Sequence, residues 1–183
     1  VASISGLSNF PALQNLILNN NDVRTLTGVH QCPSLCAIEI DSNQLHTLHG
    51  LMGLPNLRWF RAADNDINTL AGANGLTSCT YVCLASNELK SLDGIVNFPA
   101  LTHLDVSSNA LTSIVGLDVL ALLMGVDLHD NDLDAAAVPS VLALARLPKL
   151  VVVDLRGNNF SAVDKQRIRD TFAERAPGCR LLI

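Results

Sequence analysis

The sequence predicts an α/β solenoid, a right-handed horseshoe of stacked coils with a concave parallel β-sheet, short 3-10 or α-helical convex segments and a helical cap at its carboxyl end. Three recurrences predict it: an asparagine column, aliphatic residues at fixed distances from it, and a glycine in the second half of each unit. Asn21, Asn43, Asn65, Asn87, Asn109 and Asn131 stand twenty-two residues apart, and Asn158 follows after twenty-seven. Self-similarity at such a period marks stacked units, because one coil cannot bury its apolar side alone.

The strand comes first in each unit. Eight residues before each Asn stands Leu13, Leu35, Leu57, Cys79, Leu101, Leu123 or Leu150, and five before it Leu16, Ile38, Phe60, Val82, Leu104, Val126 or Val153. Three before it come Leu18, Ile40, Ala62, Leu84, Val106, Leu128 and Leu155, and two after it Val23, Leu45, Ile67, Leu89, Leu111, Leu133 and Phe160. The period-two alternation around the middle positions puts these side chains inward from a short strand and their neighbours outward. Asparagine after the strand is expected to bond the backbone of the exit turn, whose buried polar groups otherwise lack partners.

The convex half follows. Leu26, Leu48, Leu70, Leu92 and Ile114 each precede by two residues Gly28, Gly50, Gly72, Gly94 or Gly116, where a tight turn needs positive φ. Cys32-Pro33, Leu54-Pro55 and Phe98-Pro99 close three units just before the next strand. At the start, Val1, Ile4, Gly6, Leu7, Phe10 and Pro11 match Val23 to Pro33 of the next unit, so the chain is expected to open inside a coil and to be a fragment truncated at its amino end. The longer unit carries Ala135 to Leu147, with Pro139 suited to the first turn of an α-helix. Ser161 and Asp164 resemble a capping box, and Val163, Ile168 and Phe172 are expected to form one apolar helical face ended by Pro177-Gly178. Leu181, Leu182 and Ile183 read as a closing strand. The expected organisation is one domain over 1–183, with a partial repeat over 1–12, about seven repeats over 13–160 and a cap over 161–183.

The L-x-x-L-x-L-x-x-N-x-L arrangement is that of leucine-rich repeats. The twenty-two-residue unit resembles the subclass typified by the leucine-rich regulatory subunit of type-1 protein phosphatase, which includes the axonemal dynein light chain and the spliceosomal A-prime protein. Ile168-Arg169, Phe172 and Ala176-Pro177 are similar to that group's cap motif; Ile168 replaces its tyrosine, and its terminal aspartate is absent. The resemblance implies docking of a protein on the concave face, with Glu39, Trp59, Tyr81, Asp105 and Asp127 at the corresponding positions.

Composition narrows the function classes. With 49% hydrophobic but only 4% aromatic residues, the core must be aliphatic. The formal net charge of -5 argues against a phosphate-backbone ligand, so no nucleic acid is expected. The most apolar stretch, Ile114 to Val126, is interrupted by Asp118 and too short to span a bilayer, and no membrane partner is expected. Five cysteines, Cys32, Cys36, Cys79, Cys83 and Cys179, are an odd number without end-clustering, which suggests a reduced cytoplasmic or otherwise intracellular setting.

The register also assigns the outward positions of each strand. The chain's single Trp and single Tyr, Trp59 and Tyr81, become concave neighbours, as hot-spot aromatics would. Around them stand Glu39, Asp41, Arg61, Cys83, His103, Asp105, Asp127, His129 and Asp154, an acidic set that implies a partner protein with a basic contact surface. His103 with Asp105 and Asp127 with His129 offer acid–base types, but an open sheet neither excludes water nor supplies an oriented nucleophile. The expectation is therefore a non-catalytic interaction module without cofactor, metal or small-molecule substrate, such as an adaptor or a cytoskeletal or ciliary subunit. The alternatives are a secreted or surface adhesion repeat and the recognition arm of a larger enzyme.

Overall fold

The computed structural model describes Ile4 and residues 6–183; Val1, expected to open the first half-coil, lies outside them. The fold is a leucine-rich-repeat solenoid. Eight three-residue strands form one parallel sheet in sequence order: β1 (Asn15–Ile17), β2 (Ala37–Glu39), β3 (Trp59–Arg61), β4 (Tyr81–Cys83), β5 (His103–Asp105), β6 (Gly125–Asp127), β7 (Val152–Asp154) and β8 (Arg180–Leu182). Their register joins Leu16, Ile38, Phe60, Val82, Leu104, Val126, Val153 and Leu181 into one inward row. The rows above and below it are buried as well, so each coil covers the apolar edge of the next. The closing strand begins one residue earlier than the sequence suggests, at Arg180.

The asparagine column knits coils together. Asn65 Oδ1 accepts from the Leu45 N–H at 2.9 Å, and its Nδ2 donates to the carbonyls of Ile40, Ala62 and Ala63 at 3.1–3.2 Å. Asn43, Asn87, Asn109, Asn131 and Asn158 repeat this pattern. The residue before each Asn is left-handed: Asn20, Ser42, Asp64, Ser86, Ser108 and Asp130 have φ of 52–59°, and Gly157 takes the last place. Small polar residues tolerate that conformation best after glycine.

Convex segments are 3-10 turns at Leu7–Asn9, Val29–Gln31, Ile95–Asn97 and Leu117–Val119, each entered through a left-handed glycine. Two coils differ. Gly53 and Gly75, both at positive φ, stand where the other coils end their 3-10 turn, and the chain there is extended enough for Met52 and Asn74 to pair as a parallel bridge.

The long unit is helical, but less so than its sequence suggests: a 3-10 turn over Ala135–Ala137, capped by Asp134, precedes the short helix α1 (Val138–Leu144). Helix α2 (Ala162–Arg175) packs against α1 and starts with the reciprocal Ser161–Asp164 capping box. Its buried face is Ile168 and Phe172; Val163 is 78% exposed, contrary to the sequence expectation. Five positions before Ile168 places Val163 well round the helix from that face, whereas Ile168 and Phe172 are i, i+4 neighbours. No described helix is long and apolar enough to cross a membrane.

Candidate functional site

Strand pairing turns the outward residues into rows. The first runs Asn15, Ala37, Trp59, Tyr81, His103, Gly125, Val152 and Arg180; the second runs Ile17, Glu39, Arg61, Cys83, Asp105, Asp127, Asp154 and Leu182. All eleven concave residues singled out from the sequence lie in these rows or just beyond the strand ends, at Asp41 and His129.

On β3 and β4 the face is raised and aromatic. The Trp59 and Tyr81 rings stack with centroids 3.6 Å apart and planes within 4°. Burial pushes the Tyr81 phenol above its ordinary pKa. Arg61 Nη2 lies 2.7 Å from Asp41 Oδ2, and Asp41 Oδ1 accepts from the Ala63 N–H at 2.8 Å. The hydrogen bond that Arg61 donates to Asp41, with that carboxylate's charge, holds the guanidinium above its ordinary value, so the pair presents little net charge. Glu39, half-buried beside Arg61, forms no ion pair among the described residues.

From β5 to β7 the second row is acidic, and each aspartate bends toward the carboxyl end of its strand. Asp105 Oδ1 accepts from Ser107 N–H and Oγ at 3.1 and 2.7 Å. Asp127 Oδ1 takes the His129 N–H at 3.1 Å and lies 2.7 Å from its Nδ1, and this hydrogen bond raises the His129 pKa. Asp154 accepts from the Arg156 N–H and, through both oxygens, from its guanidinium. Burial pushes Asp154 up, but the bonds from Arg156 outweigh that and hold it below the usual carboxylate range.

Two residues expected on the open face are covered: Cys83 is 4% and Asp154 5% exposed. Cys83 Sγ lies 3.6 Å from Asp105 Oδ2, and burial pushes the thiol up to about 11. A small side chain between Arg61 and Asp105 sits below its longer neighbours, and Arg156 folds over Asp154. Of the two His–Asp pairs only Asp127–His129 forms; His103 Nδ1 is 3.0 Å from Thr102 Oγ1 instead. Asp127, His129 and Asp154 bring ligand atoms within 4.8 Å of one another, the donor types of a divalent-cation site. Asp154 is already bonded through both oxygens to Arg156 and Asp127 Oδ1 to His129, so a cation ligated by Asp154 competes with a guanidinium. Cys32 and Cys79 are core residues, and burial pushes the Cys79 thiol up to about 12.

One feature of this face escapes the residue types singled out from the sequence. At Gly125 the first row lacks a side chain, and a cavity of about 290 Å³ opens there, bordered by Tyr81, His103, Asp105, Asp127, Val152 and Leu182. The available signal was a glycine in a row whose other members carry side chains.

No known family profile and no curated protein matches the chain. Solved structures do match in fold. An internalin, InlF, of Listeria monocytogenes superposes with a TM-score of 0.71 at 20% identity over 100% of this chain. The functional domain of InlJ from the same bacterium gives 0.70 at 23% identity over 87%, and a leucine-rich-repeat protein of Leptospira interrogans 0.63 at 20% over 100%. The chain spans 57%, 33% and 58% of those three chains. These neighbours bear out the leucine-rich-repeat fold; the likeness to the phosphatase regulatory subunit rests on the residues of the repeat and cap alone.

Proposed function

We propose that this chain is a non-catalytic protein-interaction module that docks a partner protein on its concave face. The mutually stacked pair of exposed Trp59 and half-buried Tyr81 carries the reading. Two amphipathic rings that stack on each other and stand up from adjacent strands offer contact area with little rotamer entropy left to lose, the properties of hot-spot anchors. Asp105 and Asp127 supply the electrostatic half, favouring a partner with Lys or Arg at the contact and an association rate that falls with salt. An intracellular adaptor of the phosphatase-regulator kind is the setting we favour, since the cysteines are free thiols and three are buried.

Capture from a lysate of the source cells, compared between the native chain and a Trp59→Ala, Tyr81→Ala double variant of unchanged melting behaviour, tests this. At least one protein should be retained by the native chain and lost with the variant; identical capture profiles would refute it. A second reading, a secreted or surface recognition repeat, rests on the likeness in fold to two internalins of Listeria monocytogenes. An export signal in the gene upstream of Val1 would select it over the first.

A further inference from the structure

We infer that the hollow at Gly125 is a socket for one basic side chain of the partner, arginine or lysine. The inference rests on the concave face being the docking surface. A hollow of about 290 Å³, open on the concave side, lies at the small end of ligand-sized pockets and has room for a single long side chain but not for a folded segment. The walls are divided in chemistry as such a side chain is. Gly125, Val152 and Leu182 provide apolar surface for a methylene stem, while Tyr81 and His103 present rings on the first-row side.

Along the other wall Asp105, Asp127 and Asp154 stand in register on adjacent strands. The protein neutralises this row incompletely. Arg156 serves Asp154 and His129 serves Asp127, but no Lys, Arg or His pairs with Asp105 among the described residues. Among the described residues Asp105 has the Ser107 donors and, at Oδ2, the weak thiol donor of Cys83. An acidic or uncharged occupant would leave the charge of that carboxylate uncompensated. A cation whose stem crosses Gly125 meets it, which is the charge complementarity that favours this occupant over others. The hollow borders Tyr81, so one partner can engage the ring pair and the socket together.

Amide NMR titration of the chain with N-acetyl-arginine amide, N-acetyl-lysine amide and the uncharged N-acetyl-norleucine amide at low salt tests the proposal. The two cationic probes should move signals of residues 103–105, 125–127 and 152–154 with millimolar affinity, and norleucine should not. Asp105→Asn should weaken arginine binding about fivefold, the scale of one partly exposed ion pair.

Gly125→Val should abolish binding. The glycine is not left-handed, and an added Cβ meets only the His103 and Val152 side chains, at 3.2 Å. If the valine variant does not fold, Gly125→Ala and Asp105→Asn decide. Equal shifts with norleucine, no shifts at tens of millimolar, or an Asp105→Asn variant that binds arginine unchanged would overturn the inference. A titration with zinc sulfate in place of the amides that alone moves these signals would also overturn it, in favour of a metal site. Trp59 and the natural partner take no part in the titration, so its failure leaves the proposed docking surface standing, and failure of the capture experiment leaves the titration readable.

Discussion

The concave face has two halves built on identical strands. On β3 and β4 it rises into a stacked ring pair beside a self-neutralised Arg61–Asp41 bridge; on β5 to β7 it sinks into a hollow beside a row of aspartates. Backbone pairing, inward row and asparagine column are the same in both halves. Relief and charge therefore come from outward residues alone, Trp59 and Tyr81 against Gly125, Arg61 against Asp105 and Asp127. The scaffold sets where a side chain stands, and the choice at each place sets what can bind.

If the scaffold is common, damage to it should cost the same in either half. Asn65→Ala and Asn131→Ala each remove four backbone bonds from a buried amide. Each is expected to destabilise by about 2–4 kcal/mol in urea unfolding, since buried backbone groups lose their partners. Costs that differ severalfold would break the comparison.

Glycines should separate by role. Gly50 has φ 101° and lies against the Leu26 carbonyl, so Gly50→Ala is expected to cost about 2 kcal/mol or more. Gly125→Ala is expected to change stability by less than about 1 kcal/mol, because the two side chains it meets can shift. Thermal melts of the pair read both.

Trp59→Ala comes next, with an expected stability loss of about 1 kcal/mol for a ring that is 38% exposed and stacked on one face, against a large loss of partner capture. A loss of capture no greater than the loss of stability would remove Trp59 from the binding surface.

The smallest effect is a pH dependence confined to the acidic half. His129 has a raised folded pKa, so its bond to Asp127 adds stability that is full below the unfolded value near 6.5 and disappears as pH rises through the folded value. Native and His129→Gln proteins, compared by urea midpoint, should therefore differ most below about pH 6 and converge at alkaline pH. Asp154, held low, contributes in the opposite sense, with stability present above its unfolded value and lost as pH falls through the folded one.

The sequence made positions legible far better than contacts. Period-two alternation and the twenty-two-residue spacing place β1 to β6 and their outward residues, because register in a solenoid follows from repeat length, and the same alternation before Asn158 places β7 across the longer unit. The extended convex segments at Met52 and Asn74 depend on Gly53 and Gly75, glycines outside the recurring column. The His103–Asp105 pair fails because a strand-end aspartate accepts the N–H two residues on, which turns its carboxylate away from a preceding histidine and toward a following one. Burial of Cys83 and Asp154 depends on the length of neighbouring side chains, and the hollow at Gly125 on an absent one. Neither is carried by the repeat pattern.

Site-specific photo-crosslinking tests the docking surface most directly. A benzophenone amino acid is placed at Ala63, on the concave side two residues beyond Arg61, or at Val115, which is 70% exposed on the convex side. Adducts to a partner protein from position 63 and not from 115 are the expected result; adducts from 115 with none from 63 would contradict a concave docking surface.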